Sequence, residues 1–358
     1  MTDALSAVPV HTEWTPQYPG SGAGNIERLL GHEGEPTFAA EDWLASTTRI
    51  GRDDTGPDSG ISRVILPDGS RPLLTDHIAR DVEGMLGVGY TEPMLEVLAK
   101  FLDKETRFGV QVHPAREYAQ EVYHTPYGKA EAWIIVSVHT ENPVIYLGWN
   151  RPMTIERWTE ITLSDDSDAM LAAMNRIPVN VGDVWYVDGG WVHGAGGGLF
   201  IVEVQEPSDH TVGTERLCTN GVPPVELRGG INFGQAMGMF DYDGPTGDEF
   251  IEKARQQQIP VRKDRDGVET SLFEPWARTR FDATRMVVRG EFHPETRAVG
   301  HLFVVLEGTG IVSTNAGALT LKPGDRVFMP AGAADHEFVA TPGETLNIIR
   351  CFPPVVTA

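Results

Sequence analysis

Four residue types that could do chemistry together fall in one short stretch: Gln111, His113, Lys129 and Glu131. In a strand running through Val110, Gln111, Val112 and His113, the period of two sends Gln111 and His113 to one face and the valines to the other. The same arithmetic puts Lys129 and Glu131 on one face of a following strand. An amide, an imidazole, an ammonium and a carboxylate offered to one pocket need a reason to be buried together, and a divalent metal ion is the obvious one.

The elements that must position these groups read as antiparallel β-structure. Short β-branched and aromatic runs such as AWIIVSVHT, NPVIYLGW, LFIVEVQEP, HLFVVLEG and TLNIIRCF are separated by Gly, Pro, Asp and Asn. Helical periodicity is confined to EPMLEVLAKFLDKE, DSDAMLAAMNRI and GDEFIEKARQQQ. The fold expected is mainly β with a few peripheral helices. Residues 1–25, scattered with Pro, Gly, Ser and Thr, read as an irregular arm, residues 26–244 as a catalytic domain, residues 245–282 as a linker with a helix, and residues 283–358 as a C-terminal β-domain.

The chain has 358 residues, enough for two or three modules with real cores. With 51 acidic against 29 basic residues, its formal charge of −22 excludes nucleic acid or an anionic membrane as the main partner. Cys218 and Cys351 stand in no metal-binding or redox spacing, and the N-terminus shows no secretory pattern. A reducing cytoplasm is the expected location, and no segment approaches the length needed to span a bilayer.

The two halves of the chain resemble each other. VGDVWYVDGGWVH, ending at His193, and PGDRVFMPAGAADH, ending at His336, share a Gly-Asp start, a turn and a terminal His. This pattern is similar to the second motif of the cupin superfamily, which implies two cupin-type jelly-roll barrels. Gln111, His113, Glu131 and His193 would then supply a mixed nitrogen and oxygen ligand set compatible with zinc.

GVQVHP, GKAEAW, DGGWVH and EVQEPSD together resemble, in order, the hallmark segments of the class I, zinc-dependent phosphomannose isomerases; LAKFLDKETRF and EDWLAST resemble two further segments of that family. The resemblance implies an aldose–ketose isomerase that interconverts mannose 6-phosphate and fructose 6-phosphate. It also implies one zinc ion per chain at Gln111, His113, Glu131 and His193, with Lys129 beside it. Isomerisation requires removal of a proton from a carbon next to a carbonyl, and a divalent cation lowers the energy of the resulting enediolate. Lys129 is a candidate for hydrogen bonding substrate oxygens or relaying a proton, and Asp209 is a second candidate for proton handling or substrate orientation.

Two positions depart from the family pattern. Gly109 replaces the usual Ser, and Gly213 stands where an Arg normally follows the Ser-Asp pair. A guanidinium contact to phosphate is not recovered by glycine, so Lys100 or Arg216 would have to supply the cation. A related reading is therefore an isomerase of a free or differently substituted sugar. The rivals are an iron-dependent cupin oxygenase and a non-catalytic sugar-binding bicupin. In the second barrel Glu295, Arg297 and His301 stand at ligand positions, a set that reads as metal-free. That barrel is expected to cover the first domain or to join the interface of a homodimer.

Overall fold

The computed structural model describes residues 7–32, 38–51, 56–215 and 231–355. Its architecture is mainly antiparallel β, with short helices. The chain forms two compact units, one made of Met1–Arg49, Gly56–Phe101 and Gln257–Ala358, the other of Ile50–Thr55 and Leu102–Gln256.

In the second unit a five-stranded sheet runs in the order Val212–Gly213, Gln111–Val112, His193–Ala195, Val144–Trp149, Met174–Pro178. Val184–Val187, Glu131–Val138 and Leu199–Gln205 pair side by side in another sheet. One apolar cluster of this unit, including Val110, Val112, Trp149, Trp158, Val192 and Val212, takes the valines that alternate with the polar site residues. Sorting of side chains by strand period thus leaves Gln111 and His113 on the opposite face. The helix Ile155–Ser164 is started by Thr154, whose hydroxyl accepts from the Arg157 amide at 3.2 Å, and it buries Trp158 and Ile161. The helix Gly247–Ala254, expected from its charged outer face, buries Phe250 against the Trp191 ring at 4.6 Å.

The first unit holds an eight-stranded sheet and a four-stranded sheet. Between them lies a core that includes Met286, Phe303, Val305, Val327, Phe338 and Ile348. Several strands of the chain differ from the sequence reading. Val10–Thr12, inside the expected irregular arm, is a strand that pairs with Arg326–Met329, with Val10 opposite Phe328, and with Val64–Ile65. Ile259–Lys263 and Gly267–Ser271, inside the expected linker, form a hairpin on the edge of the same sheet. Leu98–Lys104, read as helical, is a strand, buried from Leu98 to Asp103. With both faces covered, its apolar run carries no alternation to separate strand from helix. In DSDAMLAAMNRI the helix stops at Ala172 and a strand begins at Met174. Among the described residues no helix is long and apolar enough to cross a membrane.

Candidate metal centre

Backbone register brings the four sequence-predicted ligands to one place. His193 pairs directly with Gln111, and Glu131 sits between Val187 and Gln205 on neighbouring strands. Two glycines make the fit possible. A Cβ on Gly128 would lie 2.7 Å from the Pro114 carbonyl oxygen, and one on Gly189 would lie 2.5 Å from the Ala115 Cα, so the chain segments carrying Lys129 and His193 both press against the turn that follows His113. The Lys129 amide donates to Pro114 O at 2.9 Å, and the Gly190 amide donates to His113 O at 2.8 Å.

His113, Glu131 and His193 are buried, and one ligand atom from each lies within 4.8 Å of the others. His113 Nε2 is 3.1 Å from one Glu131 oxygen, and His193 Nε2 is 3.6 Å from the other. Gln111 reaches the same point through its amide, 3.2 Å from His193 Nε2. His193 Nδ1 donates to Trp191 O at 2.8 Å, which fixes the tautomer and leaves Nε2 with its lone pair toward Glu131. Burial holds the His193 imidazole below its ordinary pKa despite the Glu131 carboxylate, so the ring is neutral.

Both Glu131 oxygens are buried and accept no hydrogen bond. The Lys129 ammonium stands 3.6 Å from one of these oxygens, beyond hydrogen-bond distance, so the carboxylate keeps strong acceptor capacity for a cation closer in. Two imidazoles, an amide and this carboxylate are compatible with a divalent metal ion of borderline softness.

Lys129, also buried, extends its ammonium to His113 Nε2 at 2.9 Å, Glu131 at 3.6 Å and the Thr211 hydroxyl at 3.3 Å. Asp209 is not part of this cluster; its carboxylate accepts from the Gly51 amide at 3.2 Å. Lys100 lies in the other unit, 3.7 Å from Glu41 and over the Trp43 ring at 4.9 Å. Arg216 falls outside the described residues. Gly213 is the direct cross-strand neighbour of Gln111, so a side chain at 213 would share the face of the ligand amide.

Three supporting residues escaped the sequence reading. Thr211 contacts Lys129, and buried Glu206 receives both the Ala130 amide at 2.9 Å and the Arg116 guanidinium, bracing the strand that carries Lys129 and Glu131. His210 stacks on Tyr123 with ring centroids 4.1 Å apart, and burial lowers its pKa. Glu206 lay within a quoted motif; Thr211 and His210 had no signal beyond adjacency to Asp209.

No protein-family model matches the chain. Mannose-6-phosphate isomerase of Streptococcus mutans is 25% identical over 247 residues, 68% of this chain and 70% of that protein. The ManA mannose-6-phosphate isomerase of Bacillus subtilis is 36% identical over 115 residues, 32% of this chain and 35% of that protein. A crystal structure of the mannose 6-phosphate isomerase from Bacillus subtilis superposes with a TM-score of 0.74 at 21% identity, covering 96% of this chain and 99% of that one. The chain is thus similar in sequence and fold to mannose-6-phosphate isomerases. The two-barrel, cupin-type fold expected from the repeated His motif is that of its structural relatives.

Proposed function

We propose that the chain is a metal-dependent aldose–ketose isomerase acting on a sugar phosphate of the mannose 6-phosphate type, with zinc held by Gln111, His113, Glu131 and His193. The observation that carries this reading is the buried Glu131 carboxylate, which accepts no hydrogen bond and faces two imidazole nitrogens. A divalent ion held by these residues would supply positive charge to the oxygens on C1 and C2, easing removal of the proton from the carbon next to the carbonyl. Lys129 donates to a substrate oxygen or shuttles the proton, because its ammonium stands in hydrogen-bond reach of the ligand set. Thr211 and Glu131 hold that ammonium in place. Asp209 orients the substrate or handles the second proton, and Arg216 meets the phosphate, since Lys100 is already engaged by Glu41 and Trp43.

A second reading, isomerisation of a free or differently substituted sugar, is favoured by Gly213. It faces the ligand Gln111 and offers no cation there. Metal analysis of the purified protein, combined with isomerisation assays on mannose 6-phosphate and on free hexoses, tests both readings. Absence of metal, or of turnover on every hexose tried, would refute the enzyme and leave a sugar-binding bicupin.

A further inference from the structure

The unit containing the C-terminal strands carries a half-open groove of about 660 Å³, lined by residues of that unit alone. Its walls are the strand Val10–Thr12 with the two residues after it, the end of the helix Asn25–Leu30, and the turn joining the strands Gly317–Leu321 and Arg326–Met329. Gly324, at φ 84°, lets the turn press on the helix: a Cβ there would lie 2.8 Å from Leu30 Cδ2 and 2.9 Å from the Leu29 carbonyl oxygen. His11 Nε2 donates to Thr320 O at 3.1 Å and ties the strand to the opposite wall. A groove of this volume suits a molecule of sugar-phosphate or nucleotide size. Leu30, Leu321 and Pro323 give it apolar surface, and the Trp14 ring meets His32 edge-on with centroids 5.4 Å apart.

The polar groups of the lining are one-sided. The Trp14 indole N–H is buried and makes no hydrogen bond. Arg326 is 6% exposed; its Nε and Nη2 make no hydrogen bond, although Nη2 stands 3.0 Å from the Asp42 carboxylate. Among the described lining residues, every buried polar side-chain atom left without a hydrogen bond is thus a donor. Such groups call for an acceptor. The acidic side chains of the lining are already engaged, Glu13 by Arg71 and Asp325 by the Lys322 amide at 2.8 Å. Among the described residues no carboxylate pairs with the Lys322 ammonium, which is exposed at the rim. In a chain of formal charge −22, a groove with a free ammonium and buried N–H donors selects an anion rich in acceptor oxygens.

We propose that this groove is a second binding site, for a small phosphorylated molecule. Lys322 and the N–H groups of Arg326 and Trp14 meet a phosphate monoester, and the apolar surface takes the sugar or nucleoside that carries it. A phosphate monoester offers three acceptor oxygens and a charge of about −1.5 to −2, enough for three donor side chains, where a carboxylate brings two oxygens and a single charge. None of these residues belongs to the candidate metal centre, so the site stands or falls apart from the isomerase reading.

The test is isothermal titration of the native protein with AMP and adenosine and with glucose 6-phosphate and glucose, repeated on Lys322→Glu and Trp14→Phe. Both substitutions are mild for the fold, since Lys322 is exposed and Phe keeps an aromatic ring at position 14. AMP, glucose 6-phosphate or both should bind with Kd below about 1 mM, at least about tenfold more tightly than the dephosphorylated counterpart. Binding should weaken about tenfold in Lys322→Glu and about threefold or more in Trp14→Phe. Binding of AMP alone would make the occupant a nucleotide, and of glucose 6-phosphate alone a sugar phosphate. A sugar phosphate held at the metal centre instead would be indifferent to both substitutions. No binding of either phosphorylated probe, equal binding of the dephosphorylated ones, or affinities unchanged in both variants would each overturn the proposal.

Discussion

Acidification should loosen the unit containing the C-terminal strands through His336, and the size of the effect follows from its surroundings. Burial, then the Arg350 guanidinium, push its pKa from an ordinary 6.5 to about 4, while the Ala333 and Ala334 backbone groups and Glu269 pull the other way. The folded state therefore keeps this imidazole neutral where the unfolded chain would protonate it. A folded pKa below the unfolded one means full stability above about pH 6.5, progressive loss as pH falls toward about 4, and no further loss from this group below that. A drop of that size corresponds to roughly 3 kcal/mol, a large share of the stability of an ordinary domain. His301, held well below its usual range by burial and by Arg350, adds to the loss from about pH 6.5 downward and continues to a lower pH than His336. The assay is urea unfolding of the native protein and of His336→Gln between pH 7 and pH 4. Comparing the pair cancels the carboxylates they share. The native protein should lose about 3 kcal/mol more than the variant over that range. Parallel curves, or a His336 ring that titrates near 6.5 by NMR, would refute the argument.

Metal content should fall by most of one equivalent in His113→Ala and in His193→Ala, measured by elemental analysis; unchanged metal in both would discard the ligand set. Lys129→Ala should keep the metal but lower kcat about a hundredfold or more, and full turnover would reduce Lys129 to a neutral bystander. If the second reading of the substrate is right, Gly213→Arg should raise kcat/KM for mannose 6-phosphate relative to free mannose, since an Arg–phosphate pair is worth about 2–5 kcal/mol. An unchanged or lowered ratio would mean that another cation already meets the phosphate. Gly128→Ala should cost about 1–3 kcal/mol in denaturant unfolding, because its new methyl meets a backbone carbonyl that cannot swing aside.

The clustering of the candidate ligands was legible in the sequence because their strands are sorted by a simple period: valines into an apolar core, Gln111 and His113 away from it. The repeated Gly-Asp start and terminal His gave His193 for a similar reason, since a turn with fixed glycines shows in any register. What stayed hidden depends on distant partners. Val10–Thr12 is too short to announce itself and is a strand only because Arg326–Met329 lies beside it. Ile259–Lys263 is exposed along its whole length, so it has no alternation to read. Leu98–Lys104 fails in the opposite way, being covered on both faces. Lys100 looked like a free cation from sequence, yet it is buried against Glu41 and Trp43. Arg216, the other cation expected from sequence to meet a phosphate, lies outside the described residues.

The pairing of Val10–Thr12 with Arg326–Met329 also governs the order of events during synthesis. The first strand leaves the ribosome more than three hundred residues before its partner exists, and closing so long a loop is slow. The residues 102–256, by contrast, are contiguous and form a compact unit almost by themselves. They can fold while the N-terminal strand, beside Val64–Ile65, waits for Arg326–Met329. A fragment beginning at residue 283 would lack that strand and leave one edge of Arg326–Met329 open, which makes it prone to pair with other chains. Truncation at the boundary suggested by composition should therefore give aggregates.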